Sequence, residues 1–398
     1  MKFKFPFFKT EKPEYFLALD IGTETVKVLM CSDVASGPAK TGGKENKKII
    51  IHGATLEYFD RFGVFNTKDF EVEILRKAIF KTIKEIRAET KVKTDKLFLG
   101  LPVNILRARV VSQNFKRENQ QETITEAEKN QIQTAVFNEV KKKLSKKFAQ
   151  KLGFLPEDFY FSNLKILKIK IDGYEVSSLQ GLKGRNLDFE VLAIFLPKYY
   201  LEKIKRICQS FNLKISKIVH SVENLSYSFK EEKDAIFLDI GGEWTKFFLL
   251  ERGKLTAISE FKKGGTDFTR KLYQILGTSF PMARVLKHDY SQSHLSKQMR
   301  RRVREILSDD IKNWFEILKK TLRKFSKKLL PSNIFLLGGG SLLPEIPEIL
   351  EKGNWSSFSF LLKPEVKQIF PRDLKNLENK TKGLNSPQQI PLLLISYG

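Results

Sequence analysis

FLALDIGTETVK, residues 16–27, returns as AIFLDIGGEWTK at residues 235–246. Asp20 and Asp239, Ile21 and Ile240, Gly22 and Gly241, Glu24 and Glu243, and Lys27 and Lys246 recur in register. Each core follows an apolar strand-like run and enters another, Val26–Met30 in the first copy and Phe247–Leu250 in the second. Turn signals follow, at Gly37-Pro38 and at Arg252-Gly253-Lys254. A strand, a tight Gly turn and a returning strand are thus found twice. Matching flanks make duplication the better reading of the echo, so the chain has two similar halves.

Outward from the echo, Val72, Leu75, Ile79, Ile83 and Ile86 recur at helical spacing, and a strand KLFLGLP begins at Lys96. Thr125-Glu126-Ala127-Glu128 has the pattern of a capping box and opens a helix over 126–150. Strand-rich segments at 163–171 and 187–195 follow, so residues 94–195 read as a small α+β insert. Leu201, Ile204, Cys208 and Phe211 share one helical stripe, which makes Cys208 a core thiol rather than a nucleophile. NIFLL (333–337) runs into Gly338-Gly339-Gly340. The expected division is a basic aromatic arm 1–14, a first lobe 15–93 with the insert 94–195 and a second part 196–232, a second lobe 233–265, a basic helical subdomain 266–330, and the rest of the second lobe 331–398.

The chain has 398 residues and a formal net charge of +25. That length suits two to four compact units, and 41% apolar with 29% charged residues is globular rather than disordered. No apolar run reaches the roughly 18–20 residues of a bilayer span, and MKFKFPFFKTEKPE lacks the features of a secretory leader. Two distant cysteines, Cys31 and Cys208, exclude a disulfide framework and suit a reducing cytoplasm; four scattered histidines exclude a His-built metal centre. The charge is compatible with nucleic acid, anionic lipid, an acidic protein tail or a general preference for Lys.

An Asp-x-Gly turn has a specific use. Gly lets backbone approach a phosphate, turn N–H groups point at its oxygens, and Asp holds hydrated Mg²⁺. Two such hairpins facing each other would grip a polyphosphate from both sides, and Gly338-Gly339-Gly340 with Ser341 would lie along a nucleoside.

DIGTETVK, DIGGEWTK and LLGGGSLLPEIPEIL (336–350) resemble the two phosphate motifs and the adenosine motif of the actin / sugar kinase / chaperone ATPase superfamily. Within it, the chain resembles the FtsA and PilM families. LFLGLP, the capped helix and IDGYEVSSLQGLKGRNLDFEVLAIF (171–195) look like their inserted SHS2-like subdomain. KKGGTDFT (262–269) is similar to their Gly-Gly-x-x-x-Thr element, and ARVLKHDY (283–290) to their adenine-facing helix. The resemblance covers residues from about Tyr15 to Gly398.

It implies an α/β, two-lobed actin-like ATPase fold of duplicated ribonuclease H-like domains, with ATP and Mg²⁺ in the cleft. Asp20 and Asp239 would orient the metal through water. Gly22, Thr23, Glu24, Thr25 and Lys27 would form the first phosphate motif, and Gly241, Gly242, Thr245 and Lys246 the second. Gly264, Gly265, Lys287, Gly338, Gly339, Gly340 and Ser341 would border the nucleoside. The sequence departs from the FtsA motif DIGGGTTD at Glu243, Trp244 and Lys246, and Arg284 stands where the adenine helix usually has Glu. No general base is identified; Glu223 is either a candidate or a solvated helix residue. The implied protein is at most a weak ATPase, primarily a nucleotide-binding structural protein.

Residues 297–328 carry Lys297, Arg300, Arg301, Arg302, Arg304, Lys312, Lys319, Lys320, Arg323, Lys324, Lys327 and Lys328, and their spacing predicts two amphipathic helices with cationic outer sides. That face is either simply solvated or, as FtsA implies, a seat for the acidic C-terminal tail of FtsZ; no nucleic-acid module accompanies it. FtsA normally ends in a membrane-binding amphipathic helix, and this sequence stops at LLLISYG (392–398). MKFKFPFFK alternates Phe with Lys, and reads either as a replacement peg on the inner membrane or as a plain arm. The favoured function is a cytoplasmic division scaffold that joins FtsZ to the membrane and self-associates as a homo-oligomer or filament. The alternative is a PilM-like pilus-assembly protein whose insert receives a PilN-like peptide, and a small-molecule kinase is a third reading.

Overall fold

A computed structural model describes residues 13–35, 47–65, 69–229, 234–325 and 329–398. The arm at 1–12, the Gly37-Pro38 turn, Lys327 and Lys328 lie outside the described residues. The first lobe opens with strands β1 (Glu14–Ile21), β2 (Thr25–Ala35) and β3 (Lys47–Tyr58), helix α1 (Val72–Thr90) and strand β4 (Lys96–Gly100). The insert follows as β5 (Arg107–Lys116), α2 (Glu126–Leu152), β6 (Phe159–Ile171), β7 (Tyr174–Val176) and β8 (Asn186–Pro197). The first lobe then resumes with α3 (Lys198–Gln209), β9 (Lys214–Ile218) and α4 (Val222–Ser228). The second lobe contains β10 (Ala235–Ile240), β11 (Thr245–Glu251), β12 (Lys254–Phe261), α5 (Gly265–Leu276), α6 (Phe280–Ser291), α7 (Lys297–Leu322), β13 (Asn333–Leu337), α8 (Glu345–Lys352) and β14 (Glu365–Gln368). The chain ends in β15 (Leu377–Asn379) and α9 (Ile390–Ser396).

Among the described residues three sheets result, ordered β15-β3-β2-β1-β4-β9, β12-β11-β10-β13-β14 and β5-β8-β6-β7. The duplication is visible in their registers. β1 pairs antiparallel with β2, placing Asp20 opposite Lys27, and β10 pairs likewise with β11, placing Asp239 opposite Lys246. β4 lies parallel to β1 on its other side, and β13 lies parallel to β10 in the same way. β1 and β10 are central and near-continuously apolar, as strands buried on both faces require. The two-residue turn from β11 to β12 puts Arg252 and Gly253 at φ 54° and 72°, the backbone of a type I′ hairpin.

Three sequence expectations need correction. KLFLG, read as the start of the insert, is β4 and pairs with β1 in the first lobe's sheet, so the insert begins after it. Its four buried residues are what a strand inside a covered sheet needs. The basic stretch forms one 26-residue helix, not two. Val303, Ile306, Leu307, Ile311, Trp314, Phe315, Leu318 and Leu322 make one unbroken buried stripe, with no Gly or Pro to interrupt it. The last segment, read as second lobe, returns to the first: β15 pairs with β3, and Ile390 and Leu392–Ile395 join the first lobe's core.

In the insert, Thr125 caps α2 by accepting from the Glu128 amide. Glu128 does not complete the box, because the buried Arg117 guanidinium takes its carboxylate at 2.7 and 2.9 Å. α2 buries Ile132, Val136, Val140, Leu144 and Phe148 against the insert's sheet. Cys31 and Cys208 are both buried, and burial raises both thiols, Cys208 to about 12. Neither is thiolate at neutral pH. Among the described residues no helix is long and apolar enough to cross a membrane.

Candidate nucleotide cleft

The two hairpin turns are built alike. The Gly22 amide donates to the Thr25 carbonyl at 2.8 Å, and the Gly241 amide donates to the Trp244 carbonyl at 2.9 Å. They face each other across one cleft and touch there. The Glu243 amide donates to Thr23 Oγ1 at 2.9 Å, and a Cβ on Gly242 would fall 2.8 Å from Glu24 Cβ. At the rear, Gly338 has φ +85°, and a Cβ there would fall 2.5 Å from the Ile240 carbonyl oxygen. Only glycine lets β13 end this close to the second hairpin.

Most of the expected site residues converge. Asp20, Gly22, Thr23, Glu24, Thr25, Lys27, Asp239, Gly241, Gly242, Lys246, Gly265, Lys287, Gly338, Gly339 and Gly340 all line the cleft. Three do not. Thr245 is fully buried behind the hairpin, donating to the Lys263 carbonyl and accepting from the Trp314 indole. Gly264 lies behind Gly241 and Gly242, so close that a Cβ would meet their carbonyl oxygens at 2.6 and 2.5 Å. Ser341 is fully buried and turns its hydroxyl back onto the Gly338 carbonyl. All three shape the walls from outside. Glu223 is no general base in this cleft; it accepts from the His220 amide and from Asn163, on the side of the first lobe that faces the insert.

Among the lining residues, Tyr58 and Gln388 lie outside the motifs. The Tyr58 hydroxyl accepts from Gln388 at 3.0 Å, and the Gln388 carbonyl accepts from Lys27 at 3.1 Å. Gln388 reaches Lys27 only because the chain end folds back onto the first lobe. Trp244 and the run Leu101-Pro102-Val103 complete the walls. Arg284, where the related helix has Glu, crosses to the other lobe: it donates to the Phe59 carbonyl at 2.7 Å and stacks 4.4 Å from the Tyr58 ring. Beside it Phe62 packs on Phe280, with ring centroids 3.7 Å apart. These contacts clasp the lobes at one edge of the cleft.

The electrostatics favour an anion. Lys246 is held 2.6 Å from Asp239, and Lys27 3.6 Å from Asp20. Burial lowers the affinity of Lys246 for its proton, but Asp239, with Asp20 and Glu260 behind it, raises its pKa overall. Lys287 donates to the Gly265 carbonyl at 2.8 Å and sits 3.9 Å from Glu24. Burial lowers its pKa, which Glu24 only partly opposes. Burial likewise raises Glu243, against Lys262 and Arg270. Anion affinity is therefore expected to fall on alkalinisation, first as Lys287 loses its proton below the ordinary 10.5. Phosphate-ligand titrations at rising pH should show that fall, and Lys287→Met should flatten its first part; a profile unchanged by the substitution would refute the role of Lys287.

A nucleotide fits this donor set, with the ammonium groups of Lys27, Lys246 and Lys287 for phosphates and a glycine wall for a nucleoside. A divalent cation fits poorly. Both carboxylates that would face it already hold an ammonium, and among the described residues no group of three or more His, Cys, Asp or Glu could hold a metal.

Two duplicated lobes joined over such a cleft, with an α+β insert in the first, define a two-lobed actin-like fold. No family model matches the chain. It is 22% identical to the cell division protein FtsA of Streptococcus pneumoniae over 364 residues, covering 85% of this chain and 73% of that one. With the FtsA of Enterococcus hirae it shares 23% over 366 residues, covering 86% and 76%. Among solved structures it superposes on the PilM-PilN type IV pilus biogenesis complex with TM-score 0.67 and 15% identity, covering 96% of this chain and 97% of that one. The ethanolamine utilization protein EutJ from Carboxydothermus hydrogenoformans gives TM-score 0.51 and 13% identity, covering 98% and 92%. The chain is thus similar in sequence to FtsA and shares the fold of PilM, which supports an FtsA/PilM-like, actin-like ATPase architecture.

Proposed function

We propose that the protein is an actin-like, ATP-binding scaffold of bacterial cell division that joins an FtsZ polymer to the cytoplasmic face of the inner membrane. The observation that carries it is the meeting of two duplicated phosphate hairpins across one cleft. The likeness to FtsA over 85% of the chain supplies the division context. Nucleotide acts here by setting lobe closure, and through it self-association into a homo-oligomer or filament, rather than by yielding product. The clasp at Arg284 and Phe62 is what closure makes and opening breaks.

The FtsZ tail is acidic, and the outer face of α7 suits it. Lys297 and Arg300, at its start, are exposed and have no ion pair among the described residues. Their neighbours Arg301 and Arg304 sit in exposed pairs with Glu305 and Glu348, which are weak and readily exchanged. An FtsZ C-terminal peptide is expected to bind with marked salt dependence. Lys297→Glu with Arg300→Glu should weaken it at least about tenfold, some 1.4 kcal/mol. Equal affinity of both proteins in fluorescence anisotropy would exclude this face.

One observation favours the pilus-assembly reading. A groove runs between the insert and the first lobe, lined by Tyr160, Ser162 and Asn163 of β6 and by Ile215, Lys217 and Ile218 of β9, the last strand of its sheet. A PilN-like peptide could add to that edge. Binding of such a peptide with no affinity for the FtsZ tail would favour this reading.

A further inference from the structure

The second hairpin carries a cation of its own where a divalent metal would have to act. Lys246 lies directly across the β10–β11 ladder from Asp239, with Nζ 2.6 Å from the carboxylate, and Asp239 is almost fully buried. The other cross-strand neighbour of Lys246 is Glu260 on β12. Glu260 is already engaged by Arg109 of the insert, Nη1 to Oε2 at 2.9 Å and Nη2 to Oε1, with Arg107 3.8 Å away. The Lys246 charge is therefore left for Asp239 and for whatever enters the cleft. The first hairpin repeats the arrangement more loosely, with Lys27 opposite Asp20 at 3.6 Å. With Lys287 and Arg284, four cationic side chains line the cleft against the carboxylates of Asp20, Glu24 and Asp239.

We propose that the cleft takes a nucleoside polyphosphate without a divalent cation, the Lys246 ammonium beside Asp239 supplying the positive charge that the metal supplies elsewhere. This rests on the nucleotide-binding reading above. A phosphate chain brought between the hairpins meets ammonium groups from both sides, and the carboxylate left to oppose it is Glu24, whose Oε1 is buried without a hydrogen bond and lies 3.9 Å from Lys287. Metal-free ATP, more negative than its Mg²⁺ complex, gains from that surplus.

The test is titration of the full chain with a fluorescent ATP analogue, once with Mg²⁺ and once with excess EDTA. The two dissociation constants are expected to agree within about threefold. Lys246→Gln should lose about tenfold or more in EDTA and recover most of it with Mg²⁺, while Lys246→Arg should stay metal-independent. Thermal melts of the variants show that each is folded. If the natural protein needs Mg²⁺ by more than about tenfold, the role of Lys246 falls and nucleotide binding stands. Equal losses for Lys246→Gln in both buffers also overturn it. Absence of binding in both buffers overturns the nucleotide reading and this inference together.

Discussion

Gly338→Ala is expected to destabilise the protein by about 2–5 kcal/mol and to reduce ATP affinity at least about tenfold. The residue has φ +85°, and its Cβ would lie 2.5 Å from the Ile240 carbonyl oxygen and 2.6 Å from Asp239 Oδ1. The left-handed backbone costs a side chain about 1–2 kcal/mol, and overpacking adds about 1–3 kcal/mol. Neither clash can be relieved by a flexible side-chain tip, because one partner is backbone and the other is an Asp fixed by Lys246. The end of β13 must move away from the second hairpin, which widens the cleft where the glycine wall meets that turn. Denaturant unfolding and nucleotide titration of the same preparation check both halves. Wild-type affinity in a folded variant would show that this wall does not border the ligand.

Arg109→Ala is expected to cost about 2–4 kcal/mol, measured by denaturant unfolding. Arg109 reaches from β5 of the insert to Glu260 on β12 of the second lobe, and its guanidinium also lies 5.3 Å from the Phe148 ring. Glu260 is only 8% exposed, so removing Arg109 leaves a buried carboxylate with Arg107 at 3.8 Å as its remaining partner. A buried pair broken on one side loses about 3–5 kcal/mol; the lower range allows for Arg107 and for the partial exposure of Arg109. Arg109→Met with Glu260→Leu should recover most of the loss, because no charge is then stranded. A single-substitution loss below about 0.5 kcal/mol would show that the insert is held by its apolar contacts alone.

The sequence alone disclosed the duplication, since Asp, Gly and Lys at the same offsets fix the same strand, turn and strand twice. It therefore also disclosed most of the cleft, whose floor is those two turns. Residues near one another in the chain were legible because a hairpin register is local: Asp20 opposite Lys27 follows from the turn between them. The misplaced elements were those whose partners lie far away. β4 reads like any apolar strand, and only pairing with β1 assigns it to the first lobe. The last residues look like generic core, and only their burial beside β1 and β4 brings Gln388 to Lys27 and Tyr58. Thr245 and Ser341 belong to motifs, yet their hydroxyls are spent on Lys263 and Gly338, a choice made by backbone that packs in from elsewhere.

What the sequence determined by itself is the pair of Asp-x-Gly hairpins and the two-lobed plan they entail, because both are set by short-range backbone geometry. What only the tertiary structure decided is how the cleft is charged and clasped: Lys246 on Asp239, Arg109 on Glu260, and Arg284 on the opposite lobe. Long flexible cations can reach several partners. Which carboxylate or carbonyl they take is fixed by burial, once strands distant in sequence have come together.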